Sequence, residues 1–165
     1  MNMRHNRVRD LITIYADMAR ALAMREPRGL AADSGLRPDI MIMMGDKRFL
    51  LDVTIIHPTC PTHVKQSNAM KTAEDDKTRT YKELAEGHLM EFVPFVVESF
   101  GGVAPRARVF LGQLSVFAQR WFGPWSQSEI MEGLEDAIAV AVQSYNGAIV
   151  RAAWQKTEAV SRARR

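Results

Sequence analysis

The sequence predicts a mixed α/β or α+β protein in which helices cover a small β-sheet. Four segments carry apolar residues at helical spacing, a pattern typical of amphipathic helices that pack on a core. Gly45-Asp46 separates two β-prone apolar runs, which predicts a hairpin with a two-residue loop. A third β-prone run follows at residues 92–98. The order of these elements predicts a small mixed sheet with a central hairpin, flanked by helices and followed by C-terminal helices.

The boundaries of these elements follow from capping and breaking residues. The expected helices cover residues 4–24, 67–90, 106–122 and 127–154, and the expected strands cover residues 37–44, 47–56 and 92–98. Asn6 is the expected N-cap of the first helix. Residues 24–28 form either a short edge strand or a loop. Pro94 favours an edge position or a bulge for the last strand, because proline donates no ladder hydrogen bond.

The composition indicates one globular domain. The chain has 165 residues, of which 47% are hydrophobic and 25% are charged. We expect a single domain over residues 1–165, with a core at residues 4–100 and a C-terminal helical extension at residues 103–160. Cys60 is the only cysteine, which excludes an internal disulfide and favours a reducing compartment. The polar start and the short apolar runs predict a nuclear or cytoplasmic protein without a membrane span.

The chain is mildly basic, with a net charge of +3 and a pI near 9.2. Basic residues concentrate at its two ends: Arg4, Arg7, Arg9, Arg151, Lys156, Arg162, Arg164 and Arg165. Such ends either neutralise nucleic-acid phosphates or simply keep a protein soluble, and the charge alone does not separate these interpretations.

Two aspartates on the predicted hairpin are the strongest functional signal. With Gly45 and Asp46 as the loop, counting outward along both strands places Asp39 directly opposite Asp52. Opposed side chains share one sheet face, with Cβ atoms about 4.5–5.5 Å apart. Two like charges at that separation destabilise the fold unless a cation lies between them. Hard oxygen ligands suit Mg²⁺ or Mn²⁺, so the hairpin predicts a site for a divalent cation.

Lys77 is expected to lie near these carboxylates. The apolar stripe of the second predicted helix runs through Met70, Ala73, Tyr81 and Leu84. Lys77 falls at the centre of that stripe, and burial of an unpaired ammonium is costly. The side chain therefore either pairs with the hairpin carboxylates or extends its head to solvent along the sheet edge. Pairing is favoured, and it would supply the cation that a metal-dependent phosphodiesterase needs.

Several short motifs follow one another in order along the chain. They are Arg4-His5-Asn6, Arg37-Pro38-Asp39-Ile40, Leu51-Asp52-Val53-Thr54-Ile55, Lys77 to Tyr81, residues 92–98 and the tail at residues 141–149. This set resembles the PD-(D/E)xK nuclease superfamily, in a variant whose lysine lies on the following helix. More narrowly, the chain resembles the restriction-like endonuclease domain of early-branching non-LTR retrotransposon polyproteins, over nearly its whole length.

The resemblance implies a restriction-endonuclease-like fold and magnesium-dependent cleavage of target DNA, whose exposed 3′ end then primes reverse transcription. By this resemblance, Asp39 and Asp52 are metal ligands, the carbonyl of Val53 is a further ligand, and Lys77 is the catalytic cation. Mg²⁺ or Mn²⁺ is the implied cofactor, DNA the implied partner and the RNA of a retroelement a second candidate partner. The residues expected to contact DNA or to lie beside the site are Arg4, His5, Asn6 and Arg37.

Thr54 departs from the family pattern, because many superfamily members carry their lysine at this position. Three functions therefore stay open. The first is a metal-dependent DNA endonuclease, and the second is a catalytically decayed nuclease-like module that binds nucleic acid. The third is a helical interaction protein that dimerises through its last two helices.

Other polar residues favour structural interpretations. His57, Cys60 and His63 are spaced by three and offer ligands for zinc, but structural zinc sites normally have four ligands, so a polar loop is favoured. Glu26 and Glu98 are candidate third carboxylates, although solvated charges at strand ends are favoured for both. The remaining candidates, expected to be surface charges or aromatic covers of the core, are Asp10, Asp75, Asp76, Trp121, Trp125 and Trp154.

Overall fold

The computed structural model describes residues 3–30, 35–58 and 68–163, with side chains of the last helix described to residue 155. Within these ranges the chain forms four helices and a four-stranded mixed sheet. The helices are α1 (Met3–Met18), α2 (Ala69–Gly87), α3 (Pro105–Ala118) and α4 (Gln127–Ala163). The strands are β1 (Leu22–Arg25), β2 (Ile40–Met44), β3 (Lys47–Ile56) and β4 (Glu91–Glu98). The predicted α/β class with C-terminal helices is confirmed.

The sheet has the order β1-β2-β3-β4. The first three strands are antiparallel neighbours, whereas β4 pairs in parallel with β3 after α2 has crossed over the sheet. The hairpin has the predicted loop, because Met44 pairs with Lys47 and Gly45 adopts a φ of +63°. β4 lies at one edge of this sheet, which explains how its Pro94 is tolerated.

The first helix ends earlier than its apolar spacing predicts. α1 stops at Met18, and Arg20 then adopts a φ of +59°, a left-handed conformation that does not continue a helix. The chain turns into β1, where Leu22 is 59% exposed instead of facing the core. Because α1 already begins at Met3, Asn6 lies inside the helix, and the prediction that it is the N-cap is wrong. The expected edge strand is present, slightly earlier than residues 24–28.

The main core lies on one face of the sheet. α1 and α3 contact that face, and α4 packs against α1 and α3. Phe110 and Leu111 of α3 and Leu134 of α4 join the same buried cluster as the strands. The segment predicted as a C-terminal helical extension therefore shares the core of the sheet. None of the helices in the described part of the chain has the length and apolar character needed to cross a membrane.

α2 covers the other sheet face over β3 and β4. Glu74 of α2 connects this helix to α3 by a hydrogen bond. Ala104, the N-cap of α3, provides no side-chain hydrogen bond to the helix. The buried carboxylate of Glu74 accepts a hydrogen bond from the amide of Arg106 instead, at 2.8 Å. A free amide at a helix N-terminus is thus satisfied by a neighbouring helix, and α2 is held in register with α3 one turn before Lys77.

We expect Glu74→Ala to lower the free energy of unfolding by about 1–2 kcal/mol, because it removes a helix cap and leaves the Arg106 amide without its acceptor. Urea denaturation followed by circular dichroism measures this loss. Glu83→Ala is the matched control, since Glu83 is an exposed carboxylate on the same helix. Equal stabilities of the two variants would contradict the capping role.

Candidate functional site

Asp52 lies on the sheet face that α2 covers, and Asp39 lies beside β3 at the end where β2 begins. Leu51 and Val53 belong to the core on the opposite face, so strand alternation turns Asp52 toward α2. Ile40 pairs with Leu51 at the start of β2, and Asp39 precedes this pair, with its carboxylate against the Val53 amide of β3 and His5 of α1. The pairing of β2 with β3 ends at this pair, and the amide of Asp39 donates to the carbonyl of Leu51 at 3.0 Å. The ladder therefore has the predicted register but ends one pair before Asp39 and Asp52.

Lys77 of α2 forms an ion pair with Asp52 of β3, with 2.6 Å between Nζ and Oδ2. The Asp52 side chain is 6% exposed and the Lys77 side chain is 34% exposed. The two charges are in contact, but Oδ2 receives no hydrogen bond of normal geometry from the described residues. Part of the desolvation cost of this buried carboxylate is therefore uncompensated. The predicted pairing of Lys77 with a hairpin carboxylate is present in the structure.

Tyr81 completes the surroundings of Asp52. Burial raises the pKa of Asp52 above its ordinary value of 3.8, and the hydrogen bonding and charge of Lys77 oppose that rise. Burial, together with the nearby charge of Asp52, raises the pKa of the Tyr81 phenol, whose hydroxyl donates to the carbonyl of Arg37 at 3.3 Å. Nζ of Lys77 lies 5.8 Å from the centre of the Tyr81 ring, within cation–π range. The ammonium is thus held between a carboxylate and an aromatic face.

The side chain of Asp39 replaces a backbone acceptor that β2 is too short to provide. β2 has five residues and β3 has ten, so β2 does not extend alongside Val53. The Oδ2 atom of Asp39 accepts the hydrogen bond of the Val53 amide at 2.7 Å, as a backbone carbonyl would in a longer β2. The same Oδ2 lies 2.9 Å from Nε2 of His5. The carboxylate therefore contacts a strand amide and an imidazole at one oxygen.

His5 reaches this carboxylate from the first turns of α1. Its Nδ1 lies 3.2 Å from Oδ1 of Asn6, so both ring nitrogens face oxygen atoms. The hydrogen bond to Asp39 raises the pKa of His5 above its ordinary value of 6.5, although partial burial opposes the rise. This arrangement favours the imidazolium form, in which each ring nitrogen donates one hydrogen bond.

The residues expected to contact DNA occupy different positions. His5 and Asn6 face the carboxylate site, whereas Nη1 of Arg4 donates to Oδ1 of Asn146 at 2.9 Å and ties α1 to α4. Arg37 has an exposed side chain two residues before Asp39. A role in DNA contact stays a prediction for all four.

The Val53 carbonyl, expected as a metal ligand, also stays a prediction. The structure shows the Val53 amide pointing to Asp39. Amide and carbonyl of one residue leave the same edge of a strand, so the carbonyl lies on the side of Asp39 and not on the side of β4.

The alternative third carboxylates make other contacts, although the amide of Glu26 donates to the Asp39 carbonyl at 2.7 Å. Glu98 pairs with Ile56, whereas Asp52 pairs with Pro94, four residues earlier on β4. Four strand residues correspond to about 13 Å. The Glu26 side chain is 67% exposed and forms an ion pair with Arg9. Neither glutamate joins Asp39 and Asp52, so both match the favoured prediction of charges at strand ends.

The other candidates make contacts of their own. Asp10 pairs with Arg9 and Arg25, and Asp75 and Asp76 pair with Arg106 and Arg79, which confirms the predicted surface charges. His57 contacts Ser99 and Phe100, while Cys60 and His63 lie outside the described residues. The tryptophans are 48–68% exposed, so the expectation that they cover the core is wrong for Trp121, Trp125 and Trp154.

Two features of the site escaped the sequence analysis. Tyr81 belongs to the predicted apolar stripe, although its position one turn after Lys77 also brings its ring within cation–π range of the ammonium. The contact between His5 and Asp39 joins residues 34 positions apart. Local periodicity carries no information about that contact, and only the ordered motifs placed both residues near one site.

The donor set at this site fits a hydrated divalent cation. Mg²⁺ is typically held by one or two carboxylates and keeps several water ligands. Asp39 and Asp52 offer two carboxylates, and Oδ2 of Asp52 already contacts a positive group, the Lys77 ammonium. The described residues contain no group of three or more histidine, cysteine, aspartate or glutamate side chains arranged to hold a metal. The set therefore suits magnesium or manganese better than structural zinc, which takes four protein ligands.

Comparison with known proteins does not assign this site. No protein-family model matches the chain, and a search of curated proteins finds no match.

We expect Lys77→Met to destabilise the fold by about 1–3 kcal/mol near neutral pH, because it leaves the charge of Asp52 buried and unpaired. This is less than the roughly 3–5 kcal/mol for a fully buried pair, since a third of Lys77 is exposed. The loss should shrink as acid protonates Asp52. Urea denaturation at several pH values tests this, with the exposed Lys71 on the same helix as control in Lys71→Met. A loss independent of pH would argue against the ion pair.

We expect the stabilising effect of His5 to depend on pH. Its pKa is raised in the folded protein, so the contribution is fully present below the ordinary pKa of 6.5 and is lost as pH rises through the folded value. His5→Ala should therefore destabilise the protein more at about pH 6 than at about pH 9. His88→Ala is the control, because the His88 imidazole bonds the neutral backbone carbonyl of Leu30 and not a carboxylate. An equal effect of His5→Ala at both pH values would contradict the predicted ionisation.

Proposed function

We propose that this protein is a metal-dependent DNA endonuclease that hydrolyses phosphodiester bonds at a site formed by Asp39, Asp52 and Lys77. The observation that carries the proposal is the contact of the buried Asp52 with Lys77, next to a second carboxylate, that of Asp39, which bonds the amide of Val53, the residue after Asp52. Metal-dependent phosphodiesterases combine carboxylates with a cationic side chain in this way. The mixed sheet around a hairpin and the ordered motifs support a restriction-endonuclease-like fold and the target-cleaving domain of a non-LTR retrotransposon as the closer assignment.

The chain divides the tasks of this chemistry among its own residues. A Mg²⁺ or Mn²⁺ ion held by Asp39 and Asp52 would lower the pKa of a water molecule and offset charge on the phosphate. The burial of Asp52 keeps its carboxylate fixed, and the rigid strand below it sets its position. Lys77 has a flexible stem and a partly exposed ammonium, so it can orient a water molecule or approach a phosphate oxygen.

Tyr81 and Arg37 have supporting positions at the same site. The raised pKa of Tyr81 keeps its phenol neutral, so it donates a hydrogen bond without adding a negative charge beside the carboxylates. The exposed guanidinium of Arg37, two residues before Asp39, is suited to a phosphate of the DNA backbone. Binding through such contacts is sensitive to salt.

One observation favours a second function, the binding of nucleic acid without cleavage. Each carboxylate already has a basic partner, because His5 contacts Asp39 and Lys77 contacts Asp52. With His5 protonated, these four charges balance without a metal ion. A catalytically decayed module would preserve this balance and use its basic residues for binding alone.

We expect magnesium-dependent nicking of plasmid DNA by the purified protein, and loss of nicking in EDTA. Asp39→Asn, Asp52→Asn and Lys77→Met should each lower the rate at least about 100-fold, since each removes a charge at the reacting phosphate. Asp46→Asn is the matched control, because Asp46 is an exposed aspartate in the loop of the same hairpin.

The outcome of this assay separates the two functions. Nicking that is equal in all variants would identify a contaminating nuclease. DNA binding without nicking under magnesium or manganese would contradict the enzyme and support the binding module.

A further inference from the structure

We propose that Asn6 and His5 form a relay that orients the Asp39 carboxylate for cation binding, so that His5 is a positioning residue and not a DNA contact. We call these three side chains the Asn6–His5–Asp39 relay. The inference rests on the proposed function, because it assigns a role within the same site.

The hydrogen bonds to Asp39 converge on one of its two oxygens. Oδ2 accepts from the Val53 amide at 2.7 Å and lies 2.9 Å from Nε2 of His5. The described residues contribute no hydrogen bond to Oδ1. Two donors at Oδ2 fix the rotation of the carboxylate and leave Oδ1 as the oxygen offered to a cation.

The two donors come from different layers of the fold. Val53 belongs to β3, so its amide moves with the sheet, whereas His5 belongs to α1, which packs on the opposite face through Val8 and Ile12. A single amide at 2.7 Å does not fix the tilt of a carboxylate, because the group can still rotate about that hydrogen bond. The imidazole supplies the second fixed point.

Asn6 sets the orientation of the imidazole itself. Its Oδ1 lies 3.2 Å from Nδ1 of His5, so the ring is held at both nitrogens. Neighbours that orient a metal ligand are worth about 10- to 100-fold in metal affinity or activity. His5 has the geometry of such a neighbour, since it contacts the predicted ligand and its side chain is only 21% exposed.

The opposite role for His5 is competition with the cation for Asp39. A positive imidazole at this carboxylate would then weaken metal binding, and its removal would strengthen it. The two roles predict changes of opposite sign, so the affinity for a metal ion distinguishes them directly.

The experiment measures Mn²⁺ affinity by titration calorimetry, with the metal alone as the probe. His5→Ala should weaken binding about 10- to 100-fold, and Asn6→Ala should weaken it less. His5→Gln should restore part of the affinity, because its side-chain amide keeps one donor for Asp39. His88→Ala is the control, as the His88 imidazole bonds the backbone carbonyl of Leu30 and not the Asp39 carboxylate. Unchanged or tighter binding by His5→Ala would overturn the relay.

A second measurement uses the metal-free protein and reports on Asp39 itself. The Val53 amide bonds to Asp39, so hydrogen exchange at Val53 should accelerate in His5→Ala if the relay holds the carboxylate in place. Exchange equal to that of the wild type would overturn the proposal. Should His5→Ala fail to fold, His5→Gln provides both readouts.

The two measurements separate the relay from the proposed function. If wild-type protein binds Mn²⁺, Asp52→Asn abolishes binding and His5→Ala does not weaken it, the relay is wrong and the metal site stands. If wild-type protein binds no Mn²⁺, the proposed function fails, and the exchange at Val53 alone decides whether His5 orients Asp39.

Discussion

The burial of one carboxylate in the middle of β3 is the constraint on which this fold depends. Asp52 lies between apolar neighbours on a strand that is covered on both faces, where an unpaired charge would be strongly unfavourable. The chain meets this constraint with Lys77 from α2, which reaches Asp52 at 2.6 Å. The placement of α2 over the sheet, and with it the parallel crossover from β3 to β4, therefore serves the packing of the core and the pairing of this charge together.

The parts of this arrangement that the sequence predicts are local in origin. Gly45-Asp46 predicts the hairpin because these residue types favour a two-residue turn. Helical periodicity places Lys77 on the side of α2 that faces the sheet. The end of α1 was not predictable in this way. Arg20 adopts a left-handed conformation that its residue type does not favour, and the four-residue β1 is too short to interrupt the apolar spacing. Tertiary packing determines the conformation of Arg20 and the start of β1, so the local sequence pattern alone predicts a helix that is too long.

The Asp39 half of the site arises from a difference in strand length, which no motif encodes. β2 ends while β3 continues, and the free amide of Val53 takes the Asp39 side chain as its acceptor. At the same point the Asp39 amide bonds to the Leu51 carbonyl, and the regular ladder ends before Asp39 and Asp52. The contact with His5 then adds a third element, since α1 approaches from the far layer of the fold. Only the folded chain brings these groups together.

The two basic partners of the carboxylates differ in how they can respond to a cation. Lys77 has a long stem and a third of its side chain exposed, so it can turn to a water molecule or a phosphate once a cation neutralises Asp52. His5 is a short side chain held at both ring nitrogens and is more buried. A cation that enters between Asp39 and Asp52 would therefore displace the lysine and leave the histidine in place. Because of this difference, the mobile ammonium of Lys77 is suited to contact the phosphate, and the fixed imidazole of His5 is suited to orient the metal ligand Asp39.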